Sequence, residues 1–112
     1  MLSEKQIQTQ ILEYLRACGY LIERFNMGGI IYGNKMVMNK RLRGFPDLFG
    51  VLKNEKRKGV LFLIEVKKDG EKLKESQEAW KEEFKRRGCP HITARTLAQA
   101  INGINAAEKG EI

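Results

Sequence analysis

The amino-acid sequence predicts an α/β domain with a central mixed sheet flanked by helices, extending over residues 1–112. Two observations lead to this prediction. Apolar residues recur at helical spacing in three separate segments, and the segment 60–67 is apolar at nearly every central position. Such a run is typical of a strand that is covered on both faces. The predicted order of elements is α-β-β-β-α-β-α without repeats or linkers, which favours one domain of mixed architecture.

The first predicted helix covers residues 3–18. Ser3 and Gln6 have the spacing of a capping box, in which each side chain accepts a hydrogen bond from the other residue's backbone N–H. Gly19 can adopt the left-handed conformation that ends a helix. The predicted buried stripe of this helix consists of Ile7, Ile11, Tyr14, Leu15 and Cys18.

The remaining elements are separated by turn-forming residues. Polar residues 53–59 predict a turn between the two central strands. A second helix is predicted at 75–87, where Trp80 and Phe84 stand four residues apart. Thr96 opens a third helix. The four predicted strands cover residues 20–25, 47–52, 60–67 and 91–95, and residues 36–38 could form a short hairpin strand in addition.

The chain carries an excess of positive charge. The 21 Lys and Arg residues against 14 Asp and Glu residues give a formal net charge of +7. This balance favours polyanionic partners, above all nucleic acid. A membrane-spanning role is disfavoured because no apolar run approaches the ~20 residues that cross a bilayer. Residues 1–5 lack the layout of a secretory signal, so we expect a cytoplasmic protein.

The cysteines do not suggest a metal site. Cys18 and Cys89, together with the one histidine, His91, cannot form a recognisable zinc site. We expect both cysteines to be reduced and partly buried.

The end of the apolar strand carries the first candidate functional residues. Side chains alternate across a strand, so Glu65 and Lys67 point to the same face. A charged pair at the end of a buried strand is costly unless it faces a cleft or a ligand. Taken alone, the pair can also mark the point at which the strand reaches solvent.

Asp47 changes this balance because it begins the preceding strand, directly after Pro46. If the two strands form a hairpin, Asp47 and Glu65 lie at the same end of the sheet. Two adjacent carboxylates repel each other unless a cation lies between them, and Mg²⁺ prefers such oxygen ligands. With Lys67 they would suit phosphodiester hydrolysis. A structural Asp–Lys salt bridge is the alternative.

These residues resemble a known signature. The segments Gly44–Asp47 (GFPD) and Phe62–Lys67 (FLIEVK) are similar to the PD-(D/E)XK nuclease motif. The wider layout resembles the virus-type replication-repair nuclease (VRR-NUC) domain, including its stand-alone phage and bacterial members. That family shows an acidic residue early in the first helix, matched by Glu4, and a glutamine opening the helix after the E-x-K strand, matched by Gln77.

The resemblance implies a restriction-endonuclease-like core and a role for each matched residue. Asp47 and Glu65 would ligate Mg²⁺, with Mn²⁺ as the alternative ion, and the Val66 carbonyl would be a third ligand. Lys67 would orient or activate the attacking water. Glu4 would act through a water on the metal or hold a second ion. Gln77 would help to position the lysine or the substrate.

Basic residues flank the predicted site on both sides in sequence. Phosphate-contacting cations would have to surround the metal for the backbone to reach it. The basic residues at 81–87 can be either further DNA contacts or the solvated face of the second helix. The predicted DNA-binding residues are Lys40, Arg41, Arg43, Lys68, Lys72 and Lys74.

The resemblance also implies a substrate. Stand-alone members of the family are linked to the resolution of four-way (Holliday) junctions as homodimers, in a prokaryotic or phage-infected cell. We therefore predict a metal-dependent, structure-specific DNA endonuclease. A flap- or duplex-cutting nuclease of the same fold and a non-catalytic nucleic-acid-binding module are the alternatives. Residues 27–39 are hypothesised to form a mobile loop that contacts DNA or builds the dimer.

Overall fold

A computed structural model describes residues 1–25, 30–32, 35–37 and 40–112, with the backbone alone for 30–32, 35–37 and 40. Short 3-10 turns occupy Lys40–Leu42 and Glu55–Arg57. The helices and strands are α1 Glu4–Ala17, β1 Ile22–Arg24, β2 Ile30–Tyr32, β3 Lys35–Val37, β4 Leu48–Val51, β5 Leu61–Val66, α2 Glu75–Arg86, β6 His91–Ala94 and α3 Leu97–Glu108.

The main sheet is mixed, with the strand order β1-β4-β5-β6. β4 is antiparallel to both β1 and β5, whereas β6 is parallel to β5. The predicted hairpin of the two central strands is confirmed, since Leu48 lies opposite Ile64 and Val51 lies opposite Leu61. β2 and β3 form a separate antiparallel pair, which confirms a hairpin strand near residue 36.

The two faces of the sheet are covered by different helices. Phe62, Ile64 and Val66 of β5 belong to the buried hydrophobic cluster that α1 and α3 form with the sheet. Because side chains alternate along a strand, Leu63, Glu65 and the following Lys67 face the opposite side. That side is the one that α2 approaches, since Gln77 of α2 contacts Glu65. Glu65 and Lys67 therefore lie on the face of the sheet that α2 covers.

The start of α1 agrees with the sequence prediction. The Gln6 N–H donates to Ser3 Oγ at 3.1 Å and the Ser3 N–H donates to Gln6 Oε1 at 2.8 Å, which completes the capping box. At the other end, Gly19 has a φ of 90°. The helix thus begins and ends for the reasons that its sequence indicates.

The predicted buried stripe of α1 is partly wrong. Tyr14 is 42% exposed, and Cys18 is exposed at the C-cap, beyond the last helical turn. Leu12 is buried instead. The buried face of α1 is rotated about the helix axis towards Leu12, so Tyr14 lies at the edge of that face. The expectation that both cysteines are partly buried therefore holds only for Cys89.

The expected loop at residues 27–39 lies in part outside the described residues. The strand predicted at 20–25 is shorter, because only Ile22–Arg24 pairs with β4. Within the described ranges, every helix is too short or too polar to traverse a bilayer.

Candidate active site

Asp47 and Glu65 meet at one end of the β4–β5 pair. Leu48 lies opposite Ile64, so the next rung of the antiparallel ladder places Asp47 beside Glu65 on the face under α2. The Asp47 N–H donates to Glu65 Oε2 at 3.2 Å, and the Val66 N–H donates to Asp47 Oδ2 at 2.8 Å. Each carboxyl group therefore accepts a hydrogen bond from a backbone N–H of the neighbouring chain segment, and these bonds hold the two groups close together.

Burial makes this carboxylate pair electrostatically unfavourable when both groups are ionised. It raises the pKa of Asp47, and the charge of Glu4 adds to the increase, while the Val66 N–H and nearby cations act in the opposite direction. Burial also raises the pKa of Glu65 to about 8, with the charge of Asp47 as the next cause. A cation between the two groups would favour their ionised forms.

Lys67 is the buried cation of the site. Its side chain is on the same face as Glu65, and the residue is only 5% exposed. Its N–H donates to the Ala94 carbonyl at 3.0 Å, which extends the β5–β6 pairing beyond Val66. The ammonium group lies 4.0 Å from Glu71 Oε2, and its charge lowers the pKa of both Asp47 and Glu65. A fixed positive charge thus stands beside the two acids.

Gln77 fixes the orientation of Glu65. Its Oε1 accepts the Lys74 N–H at 2.8 Å at the start of α2, so the side chain is held against its own helix. Its Nε2 then donates to Glu65 Oε1. The family resemblance implies that Gln77 helps to position the lysine or the substrate, whereas the amide group in the structure donates to Glu65.

Glu4 reaches the same end of the sheet from α1. It is half-buried in the first turn, and its charge raises the pKa of both Asp47 and Glu65. Among the described residues, no three Asp, Glu, His or Cys side chains are close enough to form a metal-binding group. The structure therefore places Glu4 as an electrostatic neighbour of a carboxylate pair.

The segment before Asp47 is fixed against α2, a feature that the sequence did not reveal. Gly44 has a φ of 82°, and a Cβ atom at this position would lie 2.5 Å from the Ser76 carbonyl carbon. The Phe45 ring packs edge-on against Trp80 with centroids 5.1 Å apart, and Trp80 Nε1 donates to the Arg43 carbonyl at 3.0 Å. Only glycine permits this approach, so the chain enters β4 along a defined path.

The donor set suits a hard divalent ion. Asp47 and Glu65 supply carboxylate oxygens at one place. The Val66 N–H faces Asp47, and a residue's C=O points to the same side of a strand as its N–H, so the Val66 carbonyl faces the same edge. Oxygen ligands of this kind are those that Mg²⁺ prefers, with water and substrate phosphate completing its coordination. The residues therefore fit Mg²⁺.

Most of the predicted DNA-binding cations are exposed. The side chain of Lys40 lies outside the described residues. Arg24, which the sequence did not single out, is also close, since its charge lowers the pKa of Asp47. Arg24 comes close to Asp47 because β1 pairs with β4, a long-range contact that local sequence patterns do not indicate. The exposed predicted residues are Arg41, Arg43, Lys68, Lys72 and Lys74.

Comparisons with known proteins agree with this geometry. The family model for the VRR-NUC domain matches residues 35–97, a range that includes Asp47, Glu65, Lys67 and Gln77. A solved structure described as a VRR_NUC domain superposes with a TM-score of 0.65 at 24% sequence identity, covering 91% of this chain and 94% of that chain. This likeness shows the restriction-endonuclease-like fold. No curated protein matches the sequence. Because the family model covers more than half of the chain, the protein belongs to the VRR-NUC family, which implies a nuclease-type function on DNA.

Proposed function

We propose that the protein is a Mg²⁺-dependent endodeoxyribonuclease that cuts branched DNA, resolving four-way junctions as a homodimer. The observation that supports this proposal most directly is the pair of half-buried Asp47 and buried Glu65 beside the buried Lys67. The charge of Asp47 raises the pKa of Glu65, so the two acids are unfavourable as structural elements. They are useful where a cation and a phosphate group must be held.

Asp47 and Glu65 hold the ion in this proposal, and the Val66 carbonyl faces the same position. Mg²⁺ when bound would supply Lewis-acid chemistry and charge neutralisation at the phosphate. Gln77 keeps the Glu65 carboxylate in one orientation through its hydrogen bond to Oε1. Glu4 adds negative charge from α1, which favours occupation by a cation and would suit a second ion.

Lys67 has the role of stabilising the negative charge that develops on the phosphate. Its ammonium group is the buried positive charge on the same face as Glu65, and burial strengthens electrostatic interactions. Glu71 is its ion-pair partner at 4.0 Å. The Glu71 side chain is 47% exposed, so an entering phosphate can compete for the ammonium group.

Branched DNA is proposed as the substrate for two reasons. The net charge of +7 favours extended contact with the phosphate backbone. The family resemblance links stand-alone domains of this type to four-way junctions. A two-fold symmetric dimer would present two sites to two strands of opposite polarity, as a symmetric junction requires.

Two other functions would make different use of the same residues. A flap- or duplex-cutting nuclease would have the same metal site but a different DNA path. A non-catalytic DNA-binding module would gain nothing from two adjacent carboxylates, because they repel phosphate. The Asp47–Glu65 pair therefore favours an enzyme.

The test is cleavage of labelled four-way junctions, flaps and linear duplexes with Mg²⁺ or with EDTA. We expect Mg²⁺-dependent cutting of the junction and none by Asp47→Asn. Asp69→Asn is the matched control, since it removes the same charge from an exposed residue near the same end of the sheet. Binding without cleavage of any substrate would refute the enzymatic role. Equal cutting of linear duplex would refute the preference for junctions. Light scattering of the purified protein tests the dimer.

A further inference from the structure

The edge strand β6 places two polar side chains in line with the candidate site. Thr93 lies beside Glu65 in the parallel ladder, and His91 lies beside Leu63. Residues two apart on a strand share a face, so both side chains face the side under α2. Thr93 is therefore a direct neighbour of the proposed metal ligand, and His91 continues the same line away from it.

Both of these side chains have a buried polar atom without a partner. His91 is only 8% exposed, and its Nδ1 accepts and donates no hydrogen bond; the same holds for Thr93 Oγ1. Unpaired buried polar atoms are rare in folded proteins, because each costs the free energy of its lost hydration. Within the described residues these two are the buried side-chain atoms left without partners, and both belong to one face of one strand.

Cations line the space above these two residues. A cleft of about 370 Å³ at Thr93 is lined by Lys72, Lys81 and Arg95. A second cleft of about 420 Å³ at His91 is lined by Lys81 and Lys85. Lys81 borders both clefts, and we refer to the two clefts together as the α2–β6 groove.

The positive charge of this groove is only weakly neutralised. Glu78 borders the first cleft and Glu111 borders the second. None of the ion pairs in the described part of the chain involves Lys72, Lys81 or Lys85. Burial, followed by the charge of Lys81, lowers the pKa of His91 to about 4. The residue's own backbone acts in the opposite direction and Lys85 adds to the decrease, so the ring is neutral and can accept or donate a hydrogen bond.

We infer that this α2–β6 groove binds the phosphodiester backbone of DNA as it leaves the Asp47–Glu65 site. Lys81 and Lys85 would contact successive phosphates. Thr93 Oγ1 and His91 Nδ1 are shielded from solvent in the DNA-free protein, so a rotation of each side chain would bring these atoms to the phosphates as hydrogen-bond partners. This inference rests on the proposed nuclease function. It gives the DNA a direction across the protein, from Glu65 along β6 towards the start of that strand.

The test is binding of a labelled four-way DNA junction in EDTA, measured over a range of salt concentrations. The double variant Lys81→Ala/Lys85→Ala is expected to reduce the slope of log K against log salt by about 2, because each lost phosphate contact removes about 1. At 0.1 M salt this corresponds to weakening by roughly one to two orders of magnitude. The matched control is Lys58→Ala/Lys109→Ala, which removes the same charge from exposed residues outside the groove. We expect the control to change the slope little.

A second variant separates a binding role from a structural one. Thr93→Val keeps the shape of the side chain and removes the unpaired hydroxyl, so it should raise the midpoint of thermal unfolding. If the hydroxyl contacts phosphate, the same variant binds the junction more weakly. A DNA affinity equal to that of the wild type in Thr93→Val would overturn the path along β6.

The two proposals can fail separately. If the wild type cuts DNA and Lys81→Ala/Lys85→Ala has the affinity and salt slope of its control, the groove is refuted and the nuclease stands. If the wild type cuts no DNA with Mg²⁺ yet binds it through the groove, the nuclease is refuted and the groove is confirmed.

Discussion

The stability of the protein should decrease as pH rises when no divalent ion is present. The cause is Glu65, whose pKa is raised from 4.5 to about 8 by burial and by Asp47. Between these two values the folded state retains a proton that the unfolded state has released. Stability then falls with pH, because it rises with pH only where the unfolded state binds more protons.

The size of the effect follows from the same two values. At roughly 1.4 kcal/mol per pH unit, the interval from 4.5 to about 8 corresponds to an upper limit of about 5 kcal/mol in the free energy of unfolding. The decrease should therefore extend from about pH 4.5 to pH 8 and level off above that range. The pKa of Asp47 is also raised, which acts in the same direction.

Mg²⁺ should counteract this dependence, because it binds the ionised carboxylates. A ligand at a hundredfold excess over its dissociation constant stabilises a protein by about 2.7 kcal/mol. The stabilisation by Mg²⁺ should be close to zero at pH 5 and largest above pH 8. Thermal unfolding in EDTA and in millimolar Mg²⁺, measured at several pH values, gives the pH dependence of stability without metal and the stabilisation by Mg²⁺ at each pH.

The variant Glu65→Gln serves as the reference for this experiment. Glu65 accepts hydrogen bonds from the Asp47 N–H and from Gln77, and a glutamine can accept only one of them. The variant therefore loses stability at every pH, and the informative quantity is the slope. We expect its slope between pH 5 and 8 to be much smaller than that of the wild type. Equal slopes, or a Mg²⁺ effect of the same size at pH 5 and pH 8, would refute the reasoning.

Three further predictions concern single side chains. Lys67→Met keeps the aliphatic stem and should abolish cleavage while salt-dependent DNA binding remains; full activity in a cleavage assay would remove the lysine from the mechanism. Gln77→Ala frees Glu65 to rotate and should lower the rate of cleavage about ten- to a hundredfold, the usual cost of losing a supporting contact to a metal ligand. Gln77→Glu is expected to be worse because it places a further acid against Glu65. Gly44→Ala should destabilise the fold by at least about 2 kcal/mol in denaturant unfolding, since alanine is strained at a φ of 82° and its Cβ would clash with Ser76; a loss below about 0.5 kcal/mol would show that the loop can move away from α2.

Local sequence signals predicted the elements and the carboxylate pair. The capping box of α1 depends on two residues three apart, and the pairing of Asp47 with Glu65 depends on a short turn between two strands. Both features are local in sequence and therefore visible in it. The side of α1 that becomes buried is decided by distant elements, which is why Tyr14 was wrongly placed in the core.

The residues that surround the site could not be predicted from local sequence patterns. Thr93 lies beside Glu65 only because β6 is parallel to β5 in that register, and Arg24 approaches Asp47 only because β1 pairs with β4. Nothing in the residues near Gln77 indicates which partner its amide will meet. Long-range strand pairing fixes these contacts, and a single sequence does not reveal it.

The first turns of α2 hold both halves of the candidate site at once. Gln77 holds the Glu65 carboxylate, Ser76 contacts the Gly44 backbone, and Trp80 binds the Arg43 carbonyl just before Asp47. The carboxylates of Asp47 and Glu65 repel each other and would move apart if either side chain were free to move. Because one helix restrains both, the acids remain together before any cation arrives. The cost of their proximity is thus offset by packing elsewhere in the fold, and the binding of Mg²⁺ would recover it. A site built in this way needs little rearrangement on binding, which is the condition under which charged groups stabilise a transition state most strongly.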